Sequence, residues 1–259
     1  MASSWLKAVG LGFRSDRGDL AAAYWFAGFL LLGFLAYIIT GTEPLTTKDT
    51  SSYINLWSIR TAGYPAFLHA LFWLGLSSEG IVLVQFAVLL ISAGYLSWII
   101  FRITGALATA LLVNILLIAA PWMKMYAQTL ATEALFISLL MVWLAHALLL
   151  IVKPQARHLA ILFVAAAAAS TVRPIGVFLF PIILVLGILI RAAWSWRLLG
   201  GALVGVLLTA GVGLWESSYF YRFNTPPRES LTGIIFFARG ALIDVPADRL
   251  ETARSQLAA

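Results

Sequence analysis

Four charged residues of this sequence, Asp49, Arg60, Glu133 and Arg173, have side chains able to move a proton or hold a phosphate. Asp49 and Arg60 lie in GTEPLTTKDTSSYINLWSIRTAG, residues 41–63, a polar stretch set between two long apolar segments. Only 11% of the chain is charged, and in so apolar a protein these groups belong in water or at a bilayer interface. A carboxylate there, shielded on one side by lipid, can serve as general base toward an acceptor hydroxyl. The spacing of Asp49, Tyr53 and Trp57, four residues apart, puts the acid and two aromatics on one face of a surface helix. Aromatic faces suit sugars and prenyl chains. A plain helix cap is the competing role for Asp49, since Asp is favoured at helix starts.

The other groups carry similar pairs of readings. Arg60, close to the Tyr64–Pro65 turn, offers a planar fork that fits phosphate oxygens, or else anchors the loop at the interface. Glu133, in QTLATEALF, sits two residues into an apolar segment. A carboxylate costs about 2.5–3.5 kcal/mol at mid-span and less near an end, so Glu133 faces a polar cavity or completes a helix N-terminus. Arg173, in STVRPIG, is a second phosphate contact or a topology anchor, with Pro174 opening the following helix. The histidines at 69, 146 and 158 share no ligand spacing, and no phosphate loop, nucleotide fingerprint or Ser-His-Asp set is present. Gln85, Asn114 and Gln128 read as hydrogen-bonding glue between helices.

The elements that must position these groups are membrane helices. Mean hydropathy is +0.95 and 62% of residues are hydrophobic, far above a soluble domain. Zero cysteines remove disulfides and thiolate metal sites. The net charge of +6 is spread over loops rather than clustered, which excludes a nucleic-acid surface. Apolar runs predict seven spans: 20–40, 80–103, 105–121, 131–152, 159–171, 174–190 and 198–215. The run 159–171 is short, but Lys153, Arg157 and Arg173 flank it and can snorkel outward.

The fold class expected is therefore an all-α polytopic membrane protein of about seven transmembrane helices, with two outer-surface helices in the first external loop. Residues 1–19 form a cytoplasmic N-terminus, 20–215 the membrane module with its first outer loop at 41–79, and 216–259 a polar outer tail holding a short helix at 246–258. With the N-terminus inside, the inner side holds Lys7, Arg14, Arg17, Arg102, Lys153, Arg157, Arg191 and Arg197, against Lys48, Arg60, Lys124 and Arg173 outside. Eight against four satisfies the positive-inside rule and puts all four reactive groups on the outer side.

In order along the chain, DTSSYINLW, RTAGYPAFL, TEALF and VRPIG resemble the polytopic lipid-linked glycosyltransferases of the GT-C superfamily. The dolichyl-phosphate-mannose–protein mannosyltransferase and aminoarabinose-transferase-like branch is the most similar, over residues from about Leu20 to Trp215. The resemblance implies a sugar donor on a polyprenyl phosphate, an unknown lipid, glycan or protein acceptor, and transfer on the periplasmic face of a bacterial inner membrane. It puts Asp49 at the catalytic centre and the lipid phosphate on Arg60 and Arg173, and Tyr53, Tyr64 and Glu133 join these two arginines as the expected substrate-binding residues. Transfer would be a single displacement with inversion at the sugar carbon. Relatives often carry an adjacent acidic pair where Asp49 stands between Lys48 and Thr50, so no cofactor is expected and a divalent metal has no support. Such enzymes run to more spans, so the chain corresponds to their N-terminal module, with a partner chain as one source of the remaining half. A transporter or flippase-like protein and a non-catalytic membrane subunit are the competing classes. The first expects charged or broken helices at mid-membrane, whereas here charges cluster at span ends apart from His146.

Overall fold

The computed structural model describes residues 18–41, 43–47, 49–55, 61–190 and 196–222. These form helices and connecting turns, with a single isolated bridge, Leu45 to Thr129, among the described residues. The helices are α1 (Gly18–Ile39), α2 (Thr50–Ile54), α3 (Gly63–Trp73), α4 (Ser78–Thr104), α5 (Leu107–Ala119), α6 (Pro121–Gln128), α7 (Glu133–Val152), α8 (Ala156–Val172), α9 (Leu179–Leu189) and α10 (Trp196–Arg222). A 3-10 turn, Pro174–Phe178, joins α8 to α9.

Local chemistry explains the boundaries. α4 opens at Ser77, whose hydroxyl accepts the Gly80 N–H, and it carries Glu79 in its first turn and Arg102 in its last. It stops at Gly105, held at φ 69°, a conformation open to glycine without steric cost. Pro121 breaks the next apolar run. Ala120 before it is extended, as a pre-proline residue prefers, and α5 and α6 meet at a 52° bend. Arg173 is likewise extended before Pro174, which ends α8 there.

Among the described residues four helices are long and apolar enough to cross a membrane, in Ala22–Ile39, Ser78–Thr104, Glu133–Val152 and Leu198–Trp215, or five if the bent α5–α6 pair is one span. The two other expected spans coincide with shorter apolar helices, Ala156–Val172 and Pro174–Ile188. α4 packs on α7, α7 on α8, and α8 on α10, and the largest core runs along α4 and α7. Outside it, α1 and α10 expose Leu31, Leu32, Leu35, Ile38, Leu203, Leu207 and Leu214. Continuous apolar faces of this kind fit lipid rather than water.

Two expectations about the first loop change. Of the helix expected over residues 49–59, the described residues hold Thr50–Ile54, and 56–59 lie outside them; its Tyr53 is buried rather than at the surface because its ring packs edge-on against Tyr64. The segment 64–76 does form a helix, α3, but Tyr64, Pro65 and Leu68 on it are buried while Trp73 is exposed. At the other end α10 continues past Trp215 to Arg222, taking in the first residues of the expected tail. The helix expected at 246–258 lies outside the described residues.

Candidate functional site

The polar loop is fastened across the ends of α7 and α8. Its anchors are side-chain hydroxyls reaching distant backbone carbonyls. Thr50 Oγ1 donates to Leu130 O at 3.1 Å, and Thr61 Oγ1 donates to Val172 O at 3.0 Å. Leu45 exchanges backbone bonds with the segment after α6, its N–H meeting Gln128 O at 2.9 Å and its carbonyl accepting from Leu130 N at 3.0 Å. Gln128 Nε2 donates to Gly41 O and Lys124 Nζ to Thr40 O, each at 3.0 Å. Gly63 presses against the last turn of α8: a Cβ there would lie 2.5 Å from Thr171 Oγ1 and 2.8 Å from Thr171 backbone atoms. Only glycine permits that approach.

Behind these anchors sits a buried polar centre. Tyr64, fully buried, donates its hydroxyl to Gln85 Oε1 at 2.7 Å. The Gln85 amide nitrogen donates in turn to Ala127 O at 2.9 Å and Thr129 O at 3.1 Å. Burial, then the neighbouring Tyr53, then the Glu133 charge push the Tyr64 phenol well above the ordinary tyrosine range. Tyr64 is thus a fixed donor and wall rather than a proton acceptor.

Two of the expected site residues are carboxylates. Glu133 is the first residue of α7, where the helix dipole favours a negative charge. Its Oε1 lies 3.1 Å from Arg173 Nη1, and its Oε2 is buried with no hydrogen-bond partner among the described residues. Arg173 is 41% exposed and stacks over Phe136 at 5.9 Å, so its guanidinium stands at the molecular surface beside the α7 start. Asp49 is exposed at the N-terminus of α2, one residue from the Thr50 anchor, and its side chain makes no capping bond.

Of the six expected site residues, the fold gathers Tyr53, Tyr64, Glu133 and Arg173 at one end of the bundle, with Asp49 on the loop docked there. Arg60, with Lys48 and Trp57, lies outside the described residues. Among the described residues no group of three or more His, Asp or Glu side chains is placed to hold a metal ion. A separate groove of about 540 Å³, between α1, α4, α5 and α6, is almost wholly apolar and has Lys124 at its rim. Gln85 was legible as glue, but its part in fixing Tyr64 was not, because its partners lie 21 to 44 residues away. The histidine pair at 146 and 158 was missed entirely: the two rings meet across the α7–α8 turn. No family model, curated protein or solved structure matches the chain.

Proposed function

We propose that the chain is a membrane glycosyltransferase, or the core module of one, moving a sugar from a polyprenyl-phosphate donor to an acceptor hydroxyl. The observation that carries this reading is the docking of the Asp49 loop onto the helix ends that hold the Glu133–Arg173 pair. It unites an exposed carboxylate, a guanidinium and buried aromatic walls, the set such a transfer requires. In the reaction Asp49 accepts the acceptor hydroxyl proton as its oxygen attacks the anomeric carbon from the face opposite the donor phosphate. The bond from that carbon to the phosphate oxygen breaks, and its electron pair leaves with the polyprenyl phosphate. Arg173 meets the phosphate charge through the N–H donors that Glu133 leaves over, and Glu133 fixes the guanidinium's orientation. Arg60 is assigned to the same phosphate.

The proposed topology has seven spans, the N-terminus in the cytoplasm of a bacterium and the Asp49 loop on the outer face of its inner membrane. The test is transfer by the purified chain in proteoliposomes from a panel of polyprenyl-phosphate sugars, with Asp49→Asn alongside. Loss of a general base lowers transfer by about 10²- to 10⁴-fold, with insertion unchanged. Full activity in Asp49→Asn removes it as the base; no transfer from any donor by the parent chain removes the transferase reading.

A further inference from the structure

Away from the loop, at the opposite end of α7, three side chains form a hydrogen-bonded chain through the bundle. Tyr95 on α4 places its hydroxyl 3.0 Å from His146 Nε2 on α7. The other nitrogen of that ring, Nδ1, lies 3.1 Å from His158 Nδ1 on α8. Both histidines are buried, at 7% and 4% exposure, and His158 Nε2 has no hydrogen-bond partner among the described residues. His146 is thirteen residues along α7 from Glu133, about 20 Å at the rise of an α-helix, so this chain is separate from the loop site. It sits beside the α7–α8 turn, whose Lys153 is exposed.

The geometry restricts the protonation states. An Nδ1-to-Nδ1 contact of 3.1 Å is a hydrogen bond only if one nitrogen carries a proton and the other a lone pair. Both orders work. If His146 Nδ1 donates, its Nε2 accepts from Tyr95; if His158 Nδ1 donates, His146 Nε2 donates to the Tyr95 oxygen. In each, the pair is uncharged. The charged groups acting on it are Arg157 of α8 and Lys153 of the turn, and no carboxylate is among them. α10, packed along this part of α8, brings Gly201 and Gly205 to the contact. A first added proton makes a buried cation beside two others, and a second sets N–H against N–H across 3.1 Å.

We propose that Tyr95, His146 and His158 form a proton-operated latch: uncharged, it ties α4, α7 and α8 together, and proton uptake releases the first turn of α8. Acid therefore loosens this end of the bundle while the Glu133–Arg173 end keeps its contacts. A pair that is hydrogen-bonded only while uncharged, beside two fixed cations, resists a proton, so the tie is complete through the ordinary histidine range at about 6.5 and is lost only as pH falls below it.

The chain has no cysteine, so labels at Thr104→Cys and Gln155→Cys report the α4–α8 separation without background. The chain in nanodiscs is measured by spin-label distances from about pH 7.5 down to about pH 4, running well below the ordinary histidine range. The wild-type separation is expected to lengthen and broaden in acid, and the double variant His146→Gln/His158→Gln to give one distribution at all pH values. A wild-type distribution that does not change, or a double variant that keeps the wild-type response, overturns the latch. Should the double variant not fold, Tyr95→Phe serves: it retains the ring, loses one bond of the closed state, and shifts opening to higher pH. An unshifted midpoint in Tyr95→Phe equally overturns it.

Discussion

Tyr64 shows how a single side chain holds the loop end of the molecule together. Among the described residues its hydroxyl is the donor that meets Gln85 Oε1, while the Gln85 amide nitrogen serves two backbone carbonyls, Ala127 O in the last turn of α6 and Thr129 O just after it. Tyr64→Phe keeps the ring against Tyr53 but strands Gln85 Oε1 in a dry site, at a cost of about 1–3 kcal/mol. Gln85→Leu strands the Tyr64 hydroxyl and takes a donor from both carbonyls, of which Thr129 O keeps the Ala131 N–H at 2.8 Å, so it is expected to destabilise more. Thermal unfolding in detergent gives the order: wild type, then Tyr64→Phe, then Gln85→Leu. If Tyr64→Phe unfolds with the wild type, Gln85 has another donor and the polar centre is wrongly drawn. The Glu133–Arg173 pair behaves differently. At 27% and 41% exposure it is screened, and exposed pairs contribute only about 0.2–1 kcal/mol, so its value lies in orienting the guanidinium.

At the scale of elements, two kinds of information separate. Helix ends were written locally: Ser77, Gly105, Pro121 and Pro174 each mark a boundary through their own backbone chemistry. What positions the candidate site was not local. Thr50 bonds a carbonyl 80 residues on and Thr61 one 111 residues on, and neither threonine differs in sequence from a solvated loop residue. His146 and His158 escaped for a related reason. A separation of twelve residues matches no ligand spacing on one helix, and becomes contact only when α7 and α8 fold back on each other. The α8–α10 contact is similarly hidden in adjacent glycines. A Cβ on Gly201 would lie 2.5 Å from Ala156 O, whereas one on Gly200 would meet nothing within 4 Å. Gly201→Ala is therefore expected to destabilise by about 1–3 kcal/mol through overpacking. Gly200→Ala is expected to be neutral or stabilising by up to about 1 kcal/mol through helix propensity. Equal unfolding temperatures for the two variants would show that α10 does not pack on α8 through this face.

For the whole molecule the decisive quantity is which way the bundle crosses the bilayer. α7 has 20 residues, about 30 Å of helix, which equals the thickness of a hydrocarbon core. Glu133 and the docked loop therefore stand at one interface and Lys153 with the histidine pair at the other. In the proposed topology the excess of Lys and Arg on the Lys153 side turns that end toward the cytoplasm. Exposed residues give the test: Glu43→Cys on the loop side and Lys153→Cys at the α7–α8 turn, in a chain with no other thiol. A membrane-impermeant maleimide applied to intact bacterial spheroplasts is expected to label Glu43→Cys at once and Lys153→Cys only after permeabilisation. The reverse pattern would put Asp49 in the cytoplasm and end the proposal of transfer on the outer face. It would also place the latch against the outside, where acid in the medium rather than in the cell would open it.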